Sequence, residues 1–443
     1  MALCNLPVRM IWFYRLLFLP VLWVAAPYYL LRMLRRGGYG RDFSHRLGAI
    51  GPLSPKAPGK HRIWFQAVSV GEVKAIEPLL RQLAAQGETE LVLTTTTSTA
   101  YAIVRERLAP FLCASGIFPL DFAPFSHRAW ERIQPDSIVL MEGELWPEHL
   151  HQARKRQVPV SLINARLSDQ SFRRYCFAPV ISRHIFSLLS SIGVAAAEDA
   201  QRFTQLGVPP GRIRVTGNLK VDAAIGISNG AEDLGKLHAS LGFSDAVDAP
   251  ILLGSSTWHG EEAMLLDVLA RARAAGISLR LLLVPRHAER RAQVAALLKG
   301  TPWRWFLRSV HPVAPHPADV CVADTTGELS QLAQLASVAF VGKSLPPHSG
   351  GQSPIECAAC RVPVVYGPRM DNFRDICRSL ETAGIAFRAS NAEEAKQLLL
   401  TLLEDKQRRL CLGEDAHRWL IANQGATDRT LNLLKETTRG NAA

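Results

Sequence analysis

The residues able to do chemistry cluster at the ends of short apolar runs. Ile63-Trp-Phe-Gln-Ala-Val68 is followed at once by Ser69-Val-Gly71-Glu72. Gly71 permits an unusual turn there, and Glu72 opens the next amphipathic stretch. Glu72 fits two readings: a charge set on a helix N-terminus, or a general base at a cleft. Val139-Leu-Met-Glu142-Gly-Glu144-Leu-Trp-Pro147 is sharper, because it puts two carboxylates directly after a buried strand. Such charges are costly unless paired or used, which marks Glu142 and Glu144 for function.

The second half of the chain holds residues suited to a nucleotide. Leu252-Leu-Gly-Ser255-Ser256-Thr257-Trp-His259-Gly-Glu261 reads as strand, hydroxyl-rich loop and helix. The hydroxyls of Ser255, Ser256 and Thr257 and the backbone N–H groups of a helix start suit a phosphate, with His259 beside them. An ordinary Ser/Thr N-cap is the other reading. Leu283-Val-Pro-Arg286-His287 places a guanidinium after the next strand, where it can grip an anion. Ser349-Gly350-Gly351-Gln352-Ser353-Pro354-Ile-Glu356 is a glycine-rich loop feeding a helix. Its glycines let backbone approach a ligand closely, Pro354 suits a first helical turn, and Glu356 could accept both hydroxyls of a ribose. Each signal is weak alone; together, at corresponding strand ends, they describe a nucleotide site.

Positioning these loops requires alternating strands and helices. Strands are expected at residues 63–68, 91–95, 137–141, 158–163 and 191–196, with amphipathic helices after them. A second series is expected at 251–253, 279–284, 320–323, 338–341 and 362–366. The alternation implies α/β architecture with parallel sheets. Residues 228–249 lack long apolar runs and carry turn signals, so the boundary is set there. The reading is an N-terminal segment over 1–48, an acceptor-binding lobe over 49–227 and a donor-binding lobe over 228–443. Two doubly wound, Rossmann-like lobes would place ligands in a cleft at the carboxyl ends of both sheets.

Composition narrows the partners. The 443 residues suffice for two cored lobes, and 48% hydrophobic with 20% charged residues excludes a disordered chain. The net charge of +12 suits acidic lipid headgroups, phosphorylated substrates or nucleic acid, or makes a solvated basic face. The 8 cysteines are scattered through mostly apolar runs, as buried, reduced thiols of a cytosolic compartment would be. Cys357-Ala-Ala-Cys360 lacks a second ligand pair, so no metal is expected. Residues 11–34 are apolar and aromatic between Arg15 and Arg32, with Pro20 and Pro27 inside. They fit a signal anchor spanning the membrane, an interfacial helix pair, or a cleaved signal peptide. Arg32, Arg35, Arg36 and Arg41 disfavour cleavage and place both lobes on the cytoplasmic side.

Ordered blocks carry a specific resemblance. Ser69-Val-Gly-Glu72, Glu142-Gly-Glu144-Leu-Trp-Pro147, Asn164-Ala-Arg166-Leu-Ser168, Gly217-Asn-Leu-Lys220 with Asp222, Val284-Pro-Arg-His287 with Glu289-Arg290, Gly327-Glu-Leu329 and Asn372-Phe373 occur in that order along the chain. The chain resembles the 3-deoxy-D-manno-octulosonic acid (Kdo) transferases over roughly residues 15–425. The resemblance implies a GT-B fold. It implies inverting, metal-independent transfer of Kdo from CMP-Kdo to the lipid A precursor, lipid IVA, at the cytoplasmic face of the inner membrane. No cofactor is implied, and no nucleic acid. It makes Glu72 the base, Glu144 and Lys220 catalytic, and Ser69, Gly71, Glu142, Arg166 and Asn372 further site residues. Donor binding falls to Ser255, Ser256, His259, Arg286, Gly350, Gly351, Gln352, Ser353 and Glu356. Three positions depart from the family pattern: Gln352-Ser353 replaces His-Asn, Lys343 replaces a glycine, and Gly143 replaces a common threonine. The departures leave room for another nucleotide sugar on a lipid acceptor. A binding protein for anionic lipid or nucleic acid that has lost catalysis would rest on net charge alone and would need none of these carboxylates.

Overall fold

In the computed structural model, the structure describes residues 6–35, 40–51, 53–225, 231–243 and 248–440. The chain divides into two compact units, Met1–Ala223 with Gly425–Ala443, and Ala224–Gln424.

The first unit contains β1 (His61–Ala67), β2 (Thr89–Thr95), β3 (Ala114–Ile117), β4 (Ser137–Met141), β5 (Val160–Ala165), β6 (Ser191–Val194) and β7 (Ile213–Val215). They form one parallel sheet in the order β3-β2-β1-β4-β5-β6-β7. Alternation along β1 splits the core in two. Ile63 and Phe65 face the helix Val70–Gln86 through Val73, Ile76 and Leu80. Trp64 points the other way, against Phe118, Trp130 and Leu140. Strands covered on both faces read as near-continuous apolar runs, which makes them visible in sequence. The order reverses between β1 and β4. That reversal is the switch point where such sheets open a ligand crevice, and the Ser69–Glu72 and Glu142–Glu144 segments follow these two strands.

The second unit contains β8 (Ile251–Thr257), β9 (Arg280–Pro285), β10 (Trp305–Leu307), β11 (Val320–Val322), β12 (Val338–Val341), β13 (Val364–Tyr366) and β14 (Ala386–Arg388). Its parallel sheet runs β10-β11-β9-β8-β12-β13-β14. Leu252, Leu281, Val320 and Phe340 pack against Leu265 and Leu269 of the helix Glu261–Ala274 and Leu399 of the helix Ala392–Glu404. Here the switch point lies between β8 and β12.

Three expectations are corrected. The last helix, Ala426–Gly440, belongs to the first unit, although the sequence assigns the second lobe through residue 443. Its Leu431 and Leu434 complete the core around Ile76. Asp222 holds its start by accepting the N–H groups of Gly425 (2.9 Å) and Thr427 (2.6 Å).

The second correction concerns the N-terminus. Among the described residues no helix is long and apolar enough to cross a membrane. Leu6–Arg35 is a continuous helix through Pro20 and Pro27, not a broken pair. Arg15 does not mark the end of a span. It makes a two-pronged ion pair with the buried Glu148 (2.8 and 2.9 Å). Tyr14 donates to Asp121 at 2.7 Å, and Phe18 stacks on Phe122 at 5.3 Å. One stripe of this helix is therefore docked on the first unit. Trp12, Phe13, Leu16, Trp23 and Val24 are exposed.

The third concerns the thiols. Cys321, Cys357 and Cys377 are buried, but Cys113, Cys176 and Cys411 are exposed, and no described cysteine is in a disulfide.

Candidate active site

In the first unit the fold gathers the carboxylates of two loops. Ser69 is the N-cap of the helix Val70–Gln86, and Glu72 occupies its first turn. The Glu72 carboxylate reaches back to accept the Val68 N–H (2.8 Å) and the Ser69 hydroxyl (2.9 Å). This is capping-box geometry, so the capping role suggested by sequence is real. It also fixes the carboxylate's direction. Burial and the Glu142 charge push its pKa up, against the pull of these hydrogen bonds and of Lys220. Gly71 needs correction: it takes no left-handed backbone. A Cβ there would meet only Ser69 Oγ, at 3.9 Å. The glycine leaves open space beside Glu72 and does not make a turn.

Glu142 and Glu144 separate electrostatically. Glu142 accepts from Lys220 Nζ (2.7 Å) and from Arg166 (2.7 and 3.2 Å). Burial favours its neutral form, but these two cations outweigh burial and hold its pKa down at about 2. Among the described residues, Glu144 accepts only the Trp146 indole N–H, at 3.0 Å. Burial first, then the charges of Glu72 and Glu142, raise its pKa to about 7. Two non-glycine residues here take left-handed backbone, Glu142 (φ 55) and Asn164 (φ 50). Asn164 is buried, accepts the Leu219 N–H at 3.0 Å and lies 3.5 Å from Glu142 Oε1. Such strain collects where surrounding contacts over-determine a functional geometry. Asn164 lies within one of the ordered sequence blocks, but its own role is invisible there, because its partners stand far off in the chain.

In the second unit the donor candidates lie at the carboxyl ends of β8, β9 and β12 and on the loop after β12. Ser255 and Ser256 are not at a helix start. They lie within β8, where a register shift sets in and Ser256 adopts φ 54. The helix N-cap is Gly260, with no side-chain cap, so the Ser/Thr N-cap reading of these serines does not hold. Ser255 is buried beneath the loop. Thr257 instead donates to Glu262 at 2.8 Å. His259 is exposed, its ring held by Gln293 at 2.9 Å. Arg286 is exposed, and its backbone N–H binds Thr257 O at 3.1 Å, which ties the end of β9 to the end of β8.

The glycine loop is tightly built. Gly350 (φ 96) and Gly351 (φ 69) both need glycine, since a Cβ would come within 2.6 Å of Asn372 Nδ2 and 2.4 Å of Met370 Sδ respectively. Asn372 therefore underpins this loop, donating its N–H to Gly350 O at 3.1 Å. Gln352 and Ser353 are half-buried beside it. Pro354 is the N-cap of the short helix Ile355–Ala359, and Glu356 Oε2 is buried without a hydrogen-bond partner. Sequence reasoning missed Glu261, which is buried and accepts the N–H groups of Trp258 (2.8 Å), Lys343 (2.9 Å) and Ser344 (3.1 Å). It clips the β8 and β12 ends together. Arg290 likewise forks onto Glu262 (2.7 and 3.0 Å).

A 3-deoxy-D-manno-octulosonic acid transferase of Haemophilus influenzae is 36% identical over 90% of this chain and 91% of its own length. The chain belongs to the Kdo transferase family. A Kdo transferase of Bordetella pertussis is 34% identical over 94% of this chain and 96% of its own. The family model described as 3-Deoxy-D-manno-octulosonic-acid transferase (kdotransferase) matches residues 41–223, the part of the Kdo transferase that carries the carboxylate cluster. Among solved structures, a putative UDP-N-acetylglucosamine 2-epimerase of Listeria monocytogenes superposes with TM-score 0.58 at 14% identity, covering 86% of this chain and 97% of its own. A glycosyltransferase of Rickettsia africae gives TM-score 0.56 at 12% identity, with 87% and 99% covered. These two show a GT-B-like fold of two parallel-sheet lobes and nothing finer. The chain is thus a glycosyltransferase that transfers Kdo.

Proposed function

We propose that the chain transfers Kdo from CMP-Kdo to a hydroxyl of the lipid A precursor, lipid IVA, with inversion and without a metal or cofactor. The carrying observation is the Glu72 carboxylate, buried, aimed by the Val68 N–H and Ser69 hydroxyl, and raised in pKa. A carboxylate with raised pKa is a better general base than an ordinary one. In the reaction Glu72 takes the proton of the acceptor hydroxyl. The acceptor oxygen bonds to the anomeric carbon of Kdo, and the bond from that carbon to the CMP phosphate oxygen breaks, its electron pair leaving with CMP. Lys220 and Arg166 keep Glu142 anionic, so the field around Glu72 does not change as the proton arrives. Glu144 is the third member of this set. In the second unit Arg286 is the anion grip for the leaving phosphate, the Gly350–Gly351 backbone permits close approach, and the unpartnered Glu356 oxygen suits a ribose hydroxyl.

The acceptor is an amphipathic lipid, so transfer belongs at the cytoplasmic face of the inner membrane. The exposed apolar residues of the N-terminal helix, with Trp23 81% and Leu16 73% exposed, support lipid contact along the helix. The test is transfer from CMP-Kdo, generated in situ, to tetra-acylated lipid A precursor, followed by mass spectrometry of the lipid. Wild type should add the mass of Kdo, and Glu72→Gln should fall by at least about a hundredfold. Undiminished transfer by the variant would remove Glu72 as base. The Gln352-Ser353 departure favours one second reading, another nucleotide sugar as donor. Turnover of a UDP-sugar with none of CMP-Kdo would establish it.

A further inference from the structure

Lys343 directly follows Gly342 at the end of β12, beside the switch point of the second sheet. It is a lysine with φ 59, in the left-handed region that favours glycine. A strained residue retained at the ligand edge of a sheet points to its side chain. Its backbone is fixed by the Glu261 carboxylate, which takes the Lys343 N–H at 2.9 Å, and by Gly351, which donates to Lys343 O at 3.1 Å. The same two bonds join it to the β8 loop and to the glycine loop.

The ammonium group lies over the Trp258 ring, 5.0 Å from its centroid. His287, after β9, and His348, after β12, each stand 5.3 Å from that ring. The indole nitrogen of Trp258 is buried with no hydrogen-bond partner among the described residues. No carboxylate among the described residues forms an ion pair with Lys343, whereas Arg290 nearby is fully engaged by Glu262. A cation held on an aromatic ring and facing no acid is set up to meet an anion from outside.

We propose that Lys343, presented on the Trp258 ring, is a donor-binding and specificity-determining residue that takes an anionic group of the donor, its phosphate or its sugar carboxylate. This rests on the reading of CMP-Kdo as donor. Trp258 holds the lysine stem in place, and the backbone bonds to Glu261 and Gly351 set its direction.

The experiment compares wild type, Lys343→Gly and Lys343→Arg as full chains. Glycine suits the backbone, so the first variant should melt no lower than wild type. KM for CMP-Kdo should rise about tenfold in the glycine variant, with kcat within about twofold, and the arginine variant should recover most of the loss. Binding of CMP and of cytidine by calorimetry locates the anion. A matching loss for CMP assigns the phosphate, and unchanged CMP affinity assigns the carboxylate. Cytidine, which has neither group, should bind all three alike. An unchanged KM in the glycine variant, or an equal loss for cytidine, would overturn the proposal while leaving the donor reading intact. Wild type that transfers nothing from CMP-Kdo would bring down the donor reading and this subsite with it.

Discussion

Glu142 and Glu144 follow the same strand, yet their protons behave oppositely. Glu142, between Lys220 and Arg166, stays ionised down to about pH 2, whereas Glu144 keeps its proton to about pH 7. The raised group stabilises the fold fully below its unfolded value, and that contribution is lost as pH rises through 7. Glu144→Gln should therefore melt like wild type at pH 4, below the unfolded value, and higher than wild type at pH 8. The gain should be on the order of 2 to 3 kcal/mol, read from urea titrations at both pH values. Lys220→Met removes one of two partners from a carboxylate 15% exposed, so it should cost about 2 kcal/mol at pH 7. That cost should shrink as pH falls toward 2, because Glu142 takes up its proton and the lost cation no longer matters. The two glutamates are legible because charges directly after a buried strand stand out in any sequence. The pairing is not, because Lys220 reaches Glu142 across 78 residues and becomes visible only once β4 and the chain after β7 lie side by side.

At the level of elements, loop shape depends on residues that do no chemistry. Gly351 sits at φ 69 with Met370 Sδ where a Cβ would go. Gly351→Ala should destabilise by about 1 to 3 kcal/mol and raise KM for the donor, whereas Gly71→Ala should leave the melting temperature almost unchanged, as calorimetry would show. Sequence alone cannot separate these glycines, since both lie between an expected strand and an expected helix and the backbone angle is not written in the residue type. Strands are found from sequence where they are long and apolar, as in β1, β2, β8 and β9. The four edge strands β3, β7, β10 and β14 are missed. None of them is buried along its whole length, so no continuous apolar run marks them, whereas β11, β12 and β13 are as short but buried throughout and stand out as apolar runs. The N-terminal helix misleads for a related reason. Hydropathy counts apolar residues but does not reveal that Tyr14 and Arg15 have partners in Asp121 and Glu148.

At the level of the molecule, the first unit is built from both ends of the chain. Deleting residues 425–443 should strip the cover from Leu79 and Leu80, lower the first unit's melting temperature and expose apolar surface to dye, while the second unit's transition holds. A single transition shifted as a whole would contradict this division. The outgoing and returning segments meet at Asp222, which grips the backbone of Gly425 and Thr427. Residues 224–424 therefore leave and re-enter the first unit through one doorway, as a single cassette. A short bridge from Ala223 to Gly425 should let the first unit fold with the cassette removed. The corresponding unit of another glycosyltransferase, cut at the same doorway, could be clipped in its place; on the proposed function, sugar choice would then change while Glu72, Glu142 and Glu144 keep their frame.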